Sequence, residues 1–290
     1  MEPNIAVFGT GRMGYPLVQR LLELGYQVTA YNRTIEKAAL LAQDGAKIAA
    51  LSGEAAADSQ LLLMMVSNAD VVHALLDEMG EYGMKTGKTM IVMSTISSEE
   101  SERLRDRMIS RGDSYLEAPV MGGPADVRKG RLTIMLGAEE HDYKTWEKFL
   151  GGLARNLVWT GPIGSACVVK LALNQFMAAL VTALATSVAL VRAVDIPAET
   201  LMDILKEFPY YAPTYESKLP RMLSDNFEDP NFTIEMMGKD VRLMVQEARR
   251  HHVYPDALEA IHNLYRLAEK EGLGELDYSA IFKLIDSPDP

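Results

Sequence analysis

A lysine and an asparagine stand four residues apart in the apolar segment GSACVVKLALNQF. In a helix, this spacing would project Lys170 and Asn174 from the same face. An ammonium and an amide placed side by side can hold a substrate oxygen and deliver a proton to it. Because a lysine is costly to bury in an apolar helix, we interpret Lys170 as a candidate proton donor. The alternative is a lysine whose side chain extends along the helix to reach solvent.

A second candidate site lies in AVFGTGRMG, where three glycines follow an apolar run and precede a helical pattern. In a dinucleotide-binding turn, the first glycine permits the tight turn, the second lets the backbone approach pyrophosphate, and the third allows close helix-to-strand packing. The phosphates then lie at a helix N-terminus, whose N–H groups favour negative charge. This strand–turn–helix context predicts a dinucleotide site rather than a simple glycine-rich turn. The predicted contacts are Gly9, Thr10, Gly11, Arg12, Met13 and Gly14.

The end of the second apolar run indicates which dinucleotide binds. An acidic residue about 20 residues after the turn would bond the ribose 2′-hydroxyl of NAD. Asn32, Arg33 and Thr34 stand there instead. The guanidinium of Arg33 suits a 2′-phosphate, and Thr34 can add a hydroxyl. We therefore predict NADP(H) as the cofactor; the alternative is an exposed arginine that merely begins a helix.

The elements that must position these residues change character along the chain. Up to about residue 160, β-rich runs that are apolar throughout alternate with helical patterns, which indicates a parallel sheet covered on both faces. Residues 165–194 contain no proline or glycine, and helical patterns follow. We therefore predict a Rossmann-type, mostly parallel α/β domain over 1–161 and an all-helical substrate and oligomerisation domain over 162–290, joined by a long helix. The predicted strands are 5–9, 27–32, 60–66, 89–95, 114–120, 132–138 and 157–161, and the main predicted helices are 15–24, 34–43, 69–79, 98–111, 165–194, 198–207, 234–250, 255–271 and 277–285.

Composition excludes several classes of partner. The 290 residues carry a net charge of −11, which argues against nucleic acid because no basic surplus exists. The single cysteine, Cys167, excludes an intramolecular disulfide, and the histidines lack metal-ligand spacing, so no metal is expected. The N-terminus lacks a basic, apolar leader, so we expect a cytoplasmic protein with no membrane partner. The apolar long helix predicts a homodimer or homotetramer.

Four separated segments together resemble the β-hydroxyacid dehydrogenase family, the group of 3-hydroxyisobutyrate dehydrogenase and glyoxylate/succinic semialdehyde reductase. They are FGTGRMG with NRT, EAPVMGGPADVRKG, GPIGSACVVKLALN and FTIEMMGKDVRLM, and their order and spacing cover almost the whole chain. The family's two-domain plan, with a long helix joining the domains, agrees with the division proposed above. The resemblance implies an NADP(H)-dependent oxidoreductase that acts on a short aldehyde-acid or its β- or γ-hydroxyacid.

The resemblance also implies roles for individual residues. Lys170 would donate a proton to the carbonyl oxygen during reduction and remove it during oxidation. Asn174 would hold that oxygen or orient the lysine. Gly122 and Gly123 would offer backbone N–H groups to the substrate carboxylate. Other implied contacts are Thr95 near the nicotinamide, Val66, Ser67 and Asn68 on its ribose side, and Lys239, which closes over cofactor and substrate.

Two positions depart from the family pattern. Met121 stands where the family usually has a serine that bonds the substrate carboxylate, which implies weaker affinity for a small hydroxyacid or a larger, less polar substrate. Ser165 stands where a glutamine is common. Met121 keeps an imine reductase open as an alternative, and a catalytically inactive NADP-binding scaffold is a third reading. We leave open whether Tyr210, Tyr211 and Tyr215 line the substrate pocket or serve packing and interfaces.

Overall fold

The computed structural model describes residues 3–286, and the chain divides into two compact units, Met1–Lys170 and Leu171–Pro290. The division falls inside the long helix Ser165–Arg192, a few residues after its start. The predicted domain boundary, at residue 161, lies just before that helix. Lys170 is therefore the last residue of the first unit, and Asn174 belongs to the second.

The first unit is built on one sheet of nine strands. In space they run β3-β2-β1-β4-β5-β6-β8-β7, and β9 also pairs with β8. All neighbours are parallel except the pairs that β8 makes with β6 and β7, so the predicted mostly parallel α/β domain is confirmed. The strands are β1 (Ile5–Phe8), β2 (Val28–Tyr31), β3 (Lys47–Ala49), β4 (Leu61–Met64), β5 (Thr89–Val92), β6 (Ser114–Glu117), β7 (Val120–Met121), β8 (Leu132–Gly137) and β9 (Ala154–Gly161).

Helices cover both faces of this sheet. Along β1, Ile5 and Val7 belong to one buried cluster, while Ala6 and Phe8 belong to the other, as the two-residue period of a strand requires. This double burial explains why the predicted strands are continuously apolar. The helices are α1 (Gly14–Glu23), α2 (Glu36–Ala39), α3 (Ser52–Ala57), α4 (Ala69–Glu81), α5 (Ser98–Ser110), α6 (Pro124–Arg128), α7 (Glu140–Gly151) and the beginning of α8 (Ser165–Arg192), with a 3-10 turn at Leu40–Ala42.

The second unit is helical, as predicted. The remainder of α8 contributes Ala178, Val181, Ala185 and Val188 to its core, at the three- and four-residue spacing of one helix face. A single isolated bridge between Thr233 and Asp277 is the β pairing recorded in the described part of this unit. The other helices are α9 (Ala198–Leu205), α10 (Thr214–Leu223), α11 (Ile234–Arg250), α12 (Asp256–Lys270) and α13 (Phe282–Ile285), preceded by a 3-10 turn at Tyr278–Ile281.

Helix α8 is long and apolar enough, by length and composition, to cross a membrane, with a mean hydropathy of 1.7 over its most apolar window. Core helices of globular proteins pass the same test, so this one helix is weak evidence for a membrane span. Its exposed apolar side chains include Leu173, Phe176 and Leu190. The homo-oligomer expected from this helix stays a prediction.

Two buried tyrosines of the second unit differ in how their hydroxyls are satisfied. Tyr265 is fully buried, and its hydroxyl has no hydrogen-bond partner among the described residues. Burial raises its pKa well above the usual value. Tyr278 is also buried, but its hydroxyl bonds Thr214; burial, the larger effect, raises the pKa of Tyr278 to about 12. A buried polar group without a partner costs free energy that a bonded one does not.

We therefore expect opposite effects from removing the two hydroxyls. Tyr265→Phe should raise the free energy of unfolding by about 1 kcal/mol, and Tyr278→Phe should lower it by about the same amount, because only the second loses a hydrogen bond. Urea unfolding followed by circular dichroism measures both. Equal destabilisation by the two substitutions would show that the Tyr265 hydroxyl has a partner in solution.

Candidate active site

The order of strands places one crevice at the carboxyl ends of β1 and β4. Here the chain order reverses, because β1 is followed in space by β2 on one side and β4 on the other. Ligands of open α/β sheets bind at such a switch point, outside the carboxyl ends of the strands. Three predicted cofactor segments follow β1, β2 and β4, so the sheet brings them to this edge. They are residues 9–14, 32–34 and 66–68.

Close backbone contacts fix two glycines of the turn after β1. Gly9 has a φ of +93°, and a Cβ there would lie 2.3 Å from the carbonyl oxygen of Met65. A Cβ at Gly14 would lie 1.8 Å from the carbonyl oxygen of Gly9. Neither position can hold a side chain without moving backbone. These contacts give the first and third glycines the tight-turn and packing tasks predicted for them.

The middle of the same turn is open and polar. A Cβ at Gly11 would meet no atom within 4 Å. Thr10 is 3% exposed, and its hydroxyl oxygen has no hydrogen-bond partner in the part of the chain that the structure describes. The N-terminus of α1 carries no side-chain cap; the N–H of Tyr15 in its first turn donates to the carbonyl oxygen of Gly11 at 2.9 Å. A helix N-terminus of this kind favours an anion. Room, an unsatisfied hydroxyl and a helix N-terminus fit the pyrophosphate of a dinucleotide.

The loop after β2 combines a brace with two exposed side chains. Asn32 Oδ1 accepts a hydrogen bond from the backbone N–H of Thr10 at 3.0 Å. Its Nδ2 donates to the carbonyl oxygen of Thr34 at 2.9 Å, so the amide of Asn32 ties two cofactor loops together. Arg33 and Thr34 are exposed at this edge. Asn32 thus braces the loop in which the 2′-phosphate contacts Arg33 and Thr34 are predicted.

The loops after β4 and β5 are joined by a serine that sequence reasoning missed. The buried Ser94 hydroxyl accepts from the backbone N–H of Val66 at 2.9 Å and donates to the carbonyl oxygen of Met64 at 3.3 Å. Asn68 caps α4 by accepting from the N–H of Val71 at 3.0 Å. Thr95 is half-buried beside Ser94. The signal for Ser94 was its place as the first hydroxyl residue after an apolar strand.

Lys170 contacts the residue that departs from the family pattern. The residue is 8% exposed, and its Nζ donates to the thioether sulfur of Met121 at 2.9 Å. Met121 belongs to β7 and pairs with Thr133 of β8. A thioether sulfur is a weak hydrogen-bond acceptor and has no hydrogen to donate. The structure therefore places the ammonium of Lys170 beside the segment at 119–123.

The two glycines after Met121 are arranged differently from each other. Gly122 has a φ of +131°, a conformation that favours glycine. The N–H of Gly123 donates to Asp126 Oδ2 at 3.0 Å, at the start of α6. The resemblance implies that this N–H binds a substrate carboxylate, which would require the bond to Asp126 to be exchanged.

Within the second unit, Asn174 and Lys239 share a buried acid. Asn174 Nδ2 donates to Asp240 Oδ2 at 2.6 Å, and Lys239 Nζ lies 3.0 Å from Asp240 Oδ1. Asn174 and Asp240 are each 1% exposed. The Oδ1 atom of Asn174 has no hydrogen-bond partner among residues 3–286. Sequence reasoning missed Asp240, although its place beside Lys239 on an amphipathic helix was a usable signal.

The aromatic segment before α10 is mixed. Tyr210 is 64% exposed and stacks on Phe208. The hydroxyl of Tyr211 donates to Glu216 at 2.7 Å. Tyr215 is buried in the core of the second unit, which is a packing position.

Across the described residues, no group of three or more histidine, cysteine, aspartate or glutamate side chains could hold a metal ion.

Two family profiles of NAD-binding proteins match the chain, one in each half. The family profile for the NAD binding domain of 6-phosphogluconate dehydrogenase matches residues 4–161. The profile for the NAD-binding region of NADP-dependent 3-hydroxyisobutyrate dehydrogenase matches residues 164–285.

Curated relatives carry two kinds of name. Glyoxylate/succinic semialdehyde reductase 2 of Arabidopsis thaliana is 26% identical over 284 residues, covering 97% of this chain and 79% of the relative. The cytokine-like nuclear factor N-PAC of Homo sapiens is 27% identical over 285 residues, covering 97% of this chain. The chain spans about half of N-PAC, 51% of its length.

Solved structures share the fold. The 3-hydroxyisobutyrate dehydrogenase of Mycobacterium tuberculosis, solved with L-serine, has a TM-score of 0.88 at 22% identity, covering 99% of this chain and all of that one. An imine reductase from Pseudomonas sp. has a TM-score of 0.62 at 25% identity, covering 98% of this chain and 99% of that one. The two matched profiles, which span residues 4–161 and 164–285, show that the chain belongs to the β-hydroxyacid dehydrogenase family, a family of NAD(P)-binding proteins.

Proposed function

We propose that this protein is an NADP(H)-dependent oxidoreductase for a short aldehyde-acid and its β- or γ-hydroxyacid, with Lys170 as general acid and base. The observation that carries the proposal is the buried ammonium of Lys170, 8% exposed, in the helix that begins directly after the sheet. When bound, the nicotinamide exchanges a hydride with the carbonyl carbon of the substrate. Lys170 supplies the matching proton to the carbonyl oxygen and meets the negative charge that develops there.

The remaining residues bind and orient. Asn174 would use its amide group to orient the lysine or the substrate oxygen; its Oδ1 has no hydrogen-bond partner among residues 3–286. Within the second unit, Asp240 accepts from Asn174 and pairs with Lys239. Gly122 and Gly123 would offer backbone N–H groups to a substrate carboxylate. The names of the similar reductase and dehydrogenase, which include glyoxylate, succinic semialdehyde and 3-hydroxyisobutyrate, support this class of substrate.

The preference for NADP(H) rests on the loop after β2. No acidic residue stands where a ribose 2′-hydroxyl would be bound. Asn32, not Arg33, makes the hydrogen bonds to the backbone of Thr10 and Thr34, and the Arg33 side chain is exposed. A guanidinium makes charge-assisted hydrogen bonds to a phosphate, and these are stronger than bonds between neutral groups. Arg33 and Thr34 are therefore the proposed 2′-phosphate contacts.

Replacing the lysine tests its role directly. Lys170→Ala should lower the rate of NADPH oxidation with glyoxylate, succinic semialdehyde or methylmalonate semialdehyde by about 10²–10⁴-fold, the usual contribution of proton transfer. The dissociation constant for NADPH, measured by fluorescence, should stay unchanged, since the glycine turn is untouched. Lys148→Ala, which removes an exposed lysine of α7, is the control and should keep full activity. Activity that survives Lys170→Ala would disprove the assigned role.

Cofactor choice has its own variant. Arg33→Ala should raise the dissociation constant for NADPH by about 10- to 100-fold, as expected for loss of charge-assisted hydrogen bonds worth about 1.5–3 kcal/mol. Binding of NADH, which lacks the 2′-phosphate, should change little. Lys37→Ala removes a neighbouring exposed cation of α2 and controls for the general loss of positive charge. Equal weakening of both cofactors by Arg33→Ala would place the 2′-phosphate elsewhere.

Met121 supports a second candidate, an imine reductase. A thioether cannot donate a hydrogen bond to a carboxylate, and an imine substrate needs no such donor. The shared fold of the Pseudomonas sp. imine reductase agrees with this alternative. Lys170 favours the aldehyde-acid, because a carbonyl oxygen needs a proton that the ammonium can supply.

Substitution at this position separates the two candidates. Met121→Ser should raise kcat/KM for an aldehyde-acid by about fivefold, the effect of one hydrogen bond of about 1 kcal/mol. Met121→Leu removes the sulfur without adding a hydroxyl and should give no such gain. Turnover of cyclic imines but not of aldehyde-acids by the unaltered protein would reverse the ranking.

A further inference from the structure

A buried glutamate that the proposed chemistry does not use lies at the end of β6. Glu117 is 0% exposed. Its carboxyl group accepts hydrogen bonds from three backbone N–H groups at the beginning of α8: Gly164 at 2.9 Å, Ala166 at 2.8 Å and Cys167 at 3.3 Å. The first N–H groups of a helix have no partner inside the helix. Glu117 satisfies them from the sheet.

The surroundings are built around this carboxyl group. The hydroxyl of Ser101 donates to Oε2, and the Cys167 thiol lies 3.3 Å from the same atom. Ser101 is held in turn by a 2.7 Å hydrogen bond to the hydroxyl of Tyr115. Gly137, the antiparallel partner of Glu117 on β8, makes the room, because a Cβ there would lie 2.3 Å from Oε1. Residues of β6, β8 and α5 therefore all surround the buried carboxyl group of Glu117.

Glu117 also lies close in sequence to Met121 and binds the beginning of α8, the helix that carries Lys170. Met121 follows it by four residues, and Lys170 follows Cys167 by three. The 2.9 Å contact between Lys170 Nζ and Met121 Sδ closes this loop. Ala166 and Lys170 are about one helical turn apart, about 6 Å along the axis. A shift or rotation of the first turn of α8 would therefore move the ammonium away from the segment at 119–123.

We propose that Glu117 is a positioning residue for Lys170. By accepting the first N–H groups of α8, it fixes the height and rotation of the helix and so the place where the proton is delivered. An ordinary exposed cap would stabilise the helix but leave its end free to move. The inference rests on the proposed function of Lys170, while Glu117 itself touches neither substrate nor cofactor.

Two substitutions disturb this contact by different routes. Glu117→Gln keeps the shape of the side chain but replaces one acceptor oxygen with an amide NH₂ group, a donor that would face backbone N–H donors. Gly137→Ala leaves the carboxyl group intact and pushes it from its place. Both should lower kcat for an aldehyde-acid by about 10- to 100-fold, part of the 10²–10⁴-fold worth of proton transfer. KM and the dissociation constant for NADPH should stay near their original values, and Glu117→Asp should recover part of the loss.

A matched control separates positioning from stability. Glu54 caps α3 in the same unit by accepting from the N–H groups of Ala50 at 3.0 Å and Leu51 at 3.2 Å. Glu54→Gln should lower the urea midpoint of unfolding without changing kcat. If Glu117→Gln fails to fold, Gly137→Ala and Glu117→Asp carry the same test. A lowered midpoint with unchanged kcat in the Glu117 and Gly137 variants would overturn the proposal.

A chemical measurement tests the position of Lys170 without any turnover. Brief acetylation with acetic anhydride, read by mass spectrometry, reports how accessible each lysine is. Lys170 should react several-fold faster in Glu117→Gln and Gly137→Ala than in the unaltered protein and in Glu54→Gln. Unchanged labelling would overturn the positioning role. If the unaltered protein showed no oxidoreductase activity while Lys170 labelling still depended on Glu117, the proposed function would fail and the positioning would stand.

Discussion

The arrangement depends most on the burial of one cation, because an ammonium is expensive to remove from water unless neighbouring groups receive it. Lys170 is 8% exposed and lies against the Met121 sulfur in a helix that is mostly apolar. Its position is therefore set by packing and by the beginning of α8, where Glu117 satisfies the helix N–H groups. In the proposed mechanism, a proton donor fixed by these contacts is preorganised, so little reorganisation is needed when charge develops on a substrate oxygen.

The same sheet that supports Glu117 prepares the cofactor edge. Parallel strands end at one edge, and the reversal of strand order between β1 and β4 opens the crevice there. The backbone contacts of Gly9 and Gly14 hold the turn, Asn32 ties it to the loop after β2, and Ser94 ties the loop after β4 to β5. Cofactor loops are thus braced by one another before any ligand binds.

Much of the fold followed from patterns that are local. Continuous apolar runs located the strands, and the helix predicted at 234–250 agrees with α11. The missed elements lack such a pattern: β3 has three residues, α3 and α6 are short, α7 carries many charged side chains, and α10 contains Pro220. In the site, the glycine turn and the burial of Lys170 could be anticipated because motif and spacing are local, and their roles in binding and catalysis stay predictions. The contacts of Asp240, Ser94 and Glu117 could not be predicted, since their partners lie 66, 28 and 47 residues away in the chain; position alone gave a signal for Asp240 and Ser94.

The central claim is that hydride from the nicotinamide reaches the carbonyl carbon while Lys170 protonates the oxygen. The most direct measurement supplies NADPH carrying deuterium at the transferable position of the nicotinamide, together with an aldehyde-acid, and locates the label in the product by mass spectrometry and NMR. The account predicts one deuterium on the carbon that bears the new hydroxyl. A hydroxyacid product without deuterium, or tight NADPH binding with no labelled product from any aldehyde-acid, would contradict it.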